Sequence, residues 1–212
     1  MIAAKPVTPK IPKQLDAWDG EHDEIVEIDR VHVADADFTG ATHLSVDTAQ
    51  LSRVVFTGVS WREFAWADAT GERIEAAGMQ TYKANLLRTE FSDCRITGAE
   101  FAEAHFEDCT FRNVKFDDSG FRFAVFNRVC FENCMLRQAD FGGAKLTNVS
   151  FSGCDFTGTS FMGAQCKNVD ITHQDLIGSK AVLGLKGATI SNVQLQQLAP
   201  ILAAELGFHV KD

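Results

Sequence analysis

From Leu86 to Phe161 every fifth residue is large and apolar; of these sixteen positions twelve are Phe and the rest Leu or Ile. Two residues before each stands a second set, Ala84 to Thr159, and all sixteen of its members are small. A helix returns a side chain to one face every 3.6 residues and a strand every 2.0, so neither explains a period of five. A backbone that turns through about a right angle every five residues does explain it. One large and one small residue then point inward on each side of a square, and three point outward. Four sides close a coil of twenty residues, and coils stack through backbone hydrogen bonds at about 4.8 Å. Self-similarity at fixed period signals a solenoid in which each coil touches only its neighbours and both ends need caps. The use of 17 Phe against one Tyr in 212 residues fits such a core, which takes flat apolar rings and has no place for a polar tip.

The segments ADFTG (36–40), ANLLR (84–88), ADFGG (139–143) and CDFTG (154–158) resemble the motif of the pentapeptide-repeat family: a small residue, Asp or Asn, Leu or Phe, then two variable residues. The resemblance covers roughly residues 31–178. It implies an all-β solenoid, a right-handed quadrilateral β-helix, with a short C-terminal helical cap. The expected organisation is a flexible N-terminal tail over 1–24, a β-helix over 25–190 and a cap over 191–212. Two interruptions are expected. Val33 and Phe38 lie in a different frame from Leu51, Phe56, Trp61 and Trp66, which places a slip near 42–50. Near 70–81, Gly71, Ala76 and Thr81 fill large slots poorly, so this stretch is read as a loop excursion or a distorted coil.

At the N-terminus Pro6, Pro9 and Pro12 mark a tail with no apolar core of a signal peptide. At the other end, residues 191–210 leave the period of five. Ser191 or Asn192 is placed to cap a helix and Gly207 to end it, with Pro200 splitting or kinking it. Leu195, Leu198, Ile201, Leu202 and Leu206 are more apolar groups than one exposed stripe needs. One reading is a lid over the last coil; the sharper one is pairing with a second chain, as in related topoisomerase-binding members of the family, which would give a homodimer through the C-terminal helix.

Little in the chain suggests catalysis, and no enzyme activity, cofactor or metal is expected. The six His have no metalloprotease-like spacing, and no glycine-rich phosphate loop appears. Cys94, Cys109, Cys134 and Cys154 occupy small inward slots, Cys166 a large one, and Cys130 faces outward; the inward ones read as buried free thiols acting as small hydrophobes. Six Cys without a secretory signal point to a reducing, cytoplasmic setting. No apolar run is long enough to span a membrane. The net charge of −9 argues against direct nucleic-acid binding.

Function is therefore sought on the outside. Family members of similar size bind DNA gyrase as acidic rods that imitate duplex DNA and protect it from quinolones or natural-product poisons. The resemblance thus implies a type II topoisomerase as partner; the alternative is a rigid protein–protein scaffold with no such contact. Twenty-residue stacking assigns the outward residues to four walls. The wall with Glu90, Asp93, Arg112, Glu132 and Asp170 sums to −3, and the wall with Glu100, Glu103, Arg122 and Asp140 to −2. These carboxylates are the candidate partner-binding groups. Arg122, Phe123 and Met162 join them, because Phe123 sits at an outward slot above a side-chain-poor strip of Gly142, Gly143 and Gly163.

Overall fold

The computed structural model describes residues 3–18, 25–62, 64–172 and 174–210. The strands Asn85–Ser92, His105–Arg112, Val125–Glu132 and Lys145–Ser152 lie side by side, parallel and in register. Phe106 pairs with Leu86 on one side and Phe126 on the other, an advance of twenty residues each time. Each of these strands covers two walls. It bends between them at a residue in the left-handed region: Arg88, Asp108, Arg128 and Asn148, with φ between 49° and 56°. The third wall is a ladder of single bridges through Glu75, Arg95, Lys115, Met135, Asp155 and Asp175. The fourth runs from Gln80–Tyr82 and Glu100–Ala102 through Gly120, Asp140, Ser160 and Lys180. Four ladders of parallel pairs make the quadrilateral β-helix expected from the period of five.

The core is a set of ring stacks. Phe106 and Phe126 lie 4.7 Å apart at 2°, and Phe131 and Phe151 4.9 Å apart at 9°. Within a coil the rings meet edge to face, as Phe116 and Phe121 do at 74°. The edge-to-face arrangement suits the aromatic quadrupole, and the parallel stacks repeat at the spacing of the coils. A void bordered by Phe91, Phe101, Phe106, Phe111 and Phe116 holds about 20 Å³, room for little more than one water. The inward thiols of Cys94, Cys109, Cys134 and Cys154 are buried and unbridged. Burial pushes the Cys94 and Cys109 thiols up to about 12, which leaves them protonated and unreactive.

The first coil is two residues short. Ile25 pairs with His43, His32 with Gln50 and Asp37 with Val55, all eighteen apart, whereas Ser45 pairs with Ala65, twenty apart. The deficit therefore lies between Asp37 and His43, just before the 42–50 segment where it was expected, and the strand His43–Asp47 resumes the sheet directly after it. The Trp61 indole N–H donates to the Ala41 carbonyl at 2.7 Å, across the shortened side.

Residues 70–81 form neither a loop nor a distorted coil. Thr70, Gly71 and Glu72 pair with residues 50–52 and 90–92, and Gln80–Tyr82 pairs with Glu100–Ala102. The reason is a size exchange between the two inward columns. Gly71, Ala76 and Thr81 leave large slots underfilled, while Phe64, Ile74 and Met79 stand in slots that elsewhere hold small residues, and all six are buried or closed over by neighbours. A Cβ on Gly71 would lie 2.9 Å from the Phe91 ring and 3.1 Å from Ile74. The larger residues take up space that the smaller ones leave, as a close-packed interior requires, and Phe64, Ile74, Ala76 and Met79 border the small void that remains. Ile74→Ala should therefore cost about 2 kcal/mol, seen as a lower urea midpoint with unchanged slope, although Ile74 lies in the column that is otherwise small.

Two further expectations are corrected. Instead of forming a free tail, residues 3–18 lie against the solenoid. Asp16–Ala17 pairs in parallel with Val31–His32, and the Trp18 ring packs 5.2 Å from Phe38. Residues 1–2 and 19–24 of that expected tail, and residues 211–212 of the expected cap, lie outside the described residues. Pro200 does not split the C-terminal helix, α1, which runs unbroken from Asn192 to Glu205. Ser191 is its N-cap, and Gln194 completes a capping box.

Candidate functional site

The corner between the first two walls carries alternating charge: Asp68, Arg88, Asp108 and Arg128 stand one coil apart. Arg128 Nε and Nη2 bind the Asp108 carboxylate at 2.6 and 2.8 Å, and Arg88 grips Asp68 with the same fork. Both Asp side chains are nearly buried, at 12% and 6% exposure. The N-terminal arm, residues 3–18, adds a third donor to each: Val7 N–H to Asp108 at 3.0 Å and Lys10 N–H to Asp68 at 2.8 Å. The arginine hydrogen bonds, foremost, hold both carboxyls below the ordinary aspartate range, against the opposing effect of burial. The sign follows directly. Stabilisation from these groups is present above the unfolded aspartate pKa near 3.9 and is lost as the pH falls through the lowered folded values. Acid titration should therefore raise amide exchange at Val7 and Lys10 only below about pH 4.

The carboxylates selected from the sequence are mostly engaged. Arg112 bridges Glu90 and Glu132 at 3.0 and 2.8 Å. Asp93 accepts from the Asn113 amide at 2.9 Å, and Asp170 from the backbone and hydroxyl of Thr172. On the next wall Asp140 holds Arg122 at 2.9 Å and the Gly142 N–H at 2.8 Å, and Glu103 accepts from the Tyr82 hydroxyl. Burial, then the nearby Asp140, raises the Glu100 carboxyl. The walls are thus laced by ion pairs between adjacent coils. Alongside Glu90, Glu132 and Asp170, the arm residues Ala3 to Pro6 border a shared groove, so the most acidic wall is partly covered by the chain's own N-terminus.

Phe123 is different. It is 59% exposed and sits at a corner with φ of +59°, where neighbouring coils carry Lys83, Glu103, Gly143 and Gly163. A bulky side chain there costs about 1–2 kcal/mol. Its ring lies over Gly143, where a Cβ would come within 2.6 Å of it, and Arg122 stands 5.8 Å from its centroid. Met162, 58% exposed, completes the strip. Phe123→Asn should raise stability by roughly 0.5–1 kcal/mol, measured by denaturant melting, because Asn tolerates this corner and only exposed contacts are lost.

The five apolar residues proposed for dimerisation separate in space. Leu198 is buried against the last coil, Ile201 and Leu202 are half-buried, and Leu195 and Leu206 are exposed. Gln194, missed by the sequence reading, enters the core and donates to the carbonyls of Ile171 and Gln174. Gln174 in turn accepts from the Cys154 N–H at 2.6 Å. The Glu205 carboxylate accepts from the N–H groups of Val182 and Leu183. The signal for Gln174 and Gln194 was their twenty-residue spacing below Cys154.

The Pentapeptide repeat region model matches residues 75–141 and 104–181, which together span half the chain. The chain belongs to the pentapeptide repeat family. No curated protein matches this pentapeptide repeat protein. Among solved structures it is similar to HetL, a pentapeptide repeat protein involved in heterocyst differentiation regulation from the cyanobacterium Nostoc sp. (15% identity, 79% of this chain and 90% of that one, TM-score 0.46). It is also similar to full-length QnrB1, a plasmid-mediated fluoroquinolone resistance protein (13% identity, 86% and 99%, TM-score 0.44). A third is a pentapeptide repeat protein of the Arabidopsis thaliana thylakoid lumen (19% identity, 72% and 76%, TM-score 0.25). Among the described residues no helix is long and apolar enough to cross a membrane.

Proposed function

We propose that this pentapeptide repeat protein is a non-enzymatic binding protein whose partner docks on its outer walls. The observation that carries this is the filled interior: its ring stacks leave a void of about 20 Å³, too small for a substrate. The favoured partner is DNA gyrase or another type II topoisomerase, met by imitation of duplex DNA in the cytoplasm. The net charge of −9 and the continuous stack of parallel coils support this reading. The docking groups are Glu90, Asp93, Glu132 and Asp170, with Glu100, Glu103 and Asp140 on the adjoining wall and the strip of Arg122, Phe123 and Met162. A supercoiling assay with purified gyrase, with and without a quinolone, tests it. The expected result is altered supercoiling or protection from the drug, lost when Glu90, Asp93 and Glu132 are all reversed to Lys.

A second reading, a rigid scaffold for another protein, is favoured by the pairing of so many wall carboxylates with Arg. An unchanged supercoiling assay would select it. In either reading the chain is proposed to dimerise through α1, because Val193, Leu195, Leu206, Phe208 and Val210 leave an apolar surface 51–79% exposed. Light scattering should give twice the chain mass, falling to one chain in Leu195→Glu/Leu206→Glu.

A further inference from the structure

The N-terminal segment reads AAKPVTPKIPK over residues 3–13, with Pro at every third position. That spacing favours the left-handed polyproline II helix, which rises about 3.1 Å per residue and so repeats about every 9.3 Å. Coils of the solenoid stack at about 4.8 Å, and two coils span about 9.6 Å. The two periods nearly coincide, and the contacts follow the coincidence. Val7 and Lys10, three residues apart, donate their N–H groups to Asp108 and Asp68, which are two coils apart. Each donor directly follows a Pro, Pro6 or Pro9, so the N–H groups flanking it on one side are absent. Between the two Asp stands Arg88, and beyond Asp108 stands Arg128, so carboxylates recur at every second coil only. Charge agrees with register: the segment carries Lys5, Lys10 and Lys13 and no acid until Asp16, and it borders the wall of Glu90, Glu132 and Asp170. The segment is lightly held all the same, with Val7 48% exposed.

We propose that this corner and the adjoining acidic wall form a docking groove for an extended, lysine-bearing Pro-x-x-Pro segment, and that the chain's own residues 3–13 fill it in cis. The partner it fits is a protein that presents such a segment. To dock, that segment displaces the resident arm and takes over its two hydrogen bonds. The proposal does not depend on the topoisomerase reading.

The full-length chain carrying Val7→Pro and Lys10→Pro provides the test. The substitutions delete the two donors, suit an extended segment and leave the wall untouched. The probe is a fluorescein-labelled peptide of residues 3–13, read by anisotropy. The expected result is at least tenfold tighter binding to the double-Pro chain than to wild type. Adding Asp68→Asn and Asp108→Asn should lower that affinity at least tenfold, with the β-sheet circular dichroism retained. A peptide of the same composition but without Pro at every third position should not bind measurably. Equal binding to wild type and the double-Pro chain overturns the proposal. So does binding by the reordered peptide, which would reduce the groove to general charge attraction. A wild-type dimer that becomes a monomer in the double-Pro chain would assign the groove to the arm of a second copy and overturn the cis arrangement. Failure of the Asn variant to fold leaves the first comparison and the reordered peptide to decide.

Discussion

Phe126→Ala is expected to lower stability by about 3–5 kcal/mol, which places it among the most damaging single changes available in the solenoid. Phe126 is fully buried. Its ring stacks on Phe106 at 4.7 Å and meets Phe121 and Phe141 at 5.8 Å each. Truncation removes the apolar area and also leaves a hole that the neighbours are poorly placed to fill. Their own positions are fixed by backbone ladders on all four walls, so relaxation into the gap is limited. Phe126→Leu should cost far less, about 1 kcal/mol, because Leu already stands in the same column at Leu86 and Leu146. In a structure where each coil touches only its neighbours, a weak coil also divides the stack. Phe126→Ala should therefore broaden the urea transition or split it in two, with amide exchange rising first around Val125–Glu132. A loss below about 1 kcal/mol with a single sharp transition would show that the stability does not reside in the ring stacks.

The fold was legible in the sequence because one pattern was repeated sixteen times in register, and no helix or strand alone produces it. The coil at 70–81 was misread because the large column was judged by itself. Gly71, Ala76 and Thr81 look like failures until Phe64, Ile74 and Met79 are seen in the neighbouring column. A five-residue motif describes each slot separately, whereas packing constrains the sum of adjacent slots. Adding charges wall by wall gave the net charge of each face but not its pairing: Arg112 bridges Glu90 and Glu132 on adjoining coils, and Arg137 binds Asp117 at 3.1 Å one coil away. Those pairs were available from the twenty-residue stacking, which places residues i and i+20 side by side. The arm was less accessible. Pro6, Pro9 and Pro12 suggest a stiff extended chain, but nothing local shows that its repeat matches two coils, since that requires both spacings together. Phe123 was found as an exposed ring, yet its cost comes from a corner conformation that only the backbone reveals.

Gly184→Ala is expected to unseat the C-terminal cap. Gly184 lies in the short 3-10 turn Val182–Leu185, directly beneath the last full coil. A Cβ at this position would fall 1.7 Å from the Phe161 carbonyl oxygen, 2.8 Å from its carbon and 3.3 Å from the Ala164 nitrogen. These are backbone atoms of the coil, so no side chain can swing aside. The turn itself must move. Moving it breaks the Glu205 hydrogen bonds to Val182 and Leu183 and withdraws Leu198 and Gln194 from the end of the core. The expected cost is on the order of 3 kcal/mol, the upper part of the range for overpacking. It should appear as fast amide exchange across residues 182–205 while Val125–Glu132 stays protected. If α1 pairs two chains, the same variant should also be monomeric, since the helix loses the platform that orients its exposed face. Wild-type exchange rates over 182–205 would mean that the turn packs elsewhere and that the last coil is closed by other residues. The small size of residue 184 is thus a steric condition for the whole end of the molecule: the cap closes the Phe column only if its turn comes within carbonyl contact of Phe161.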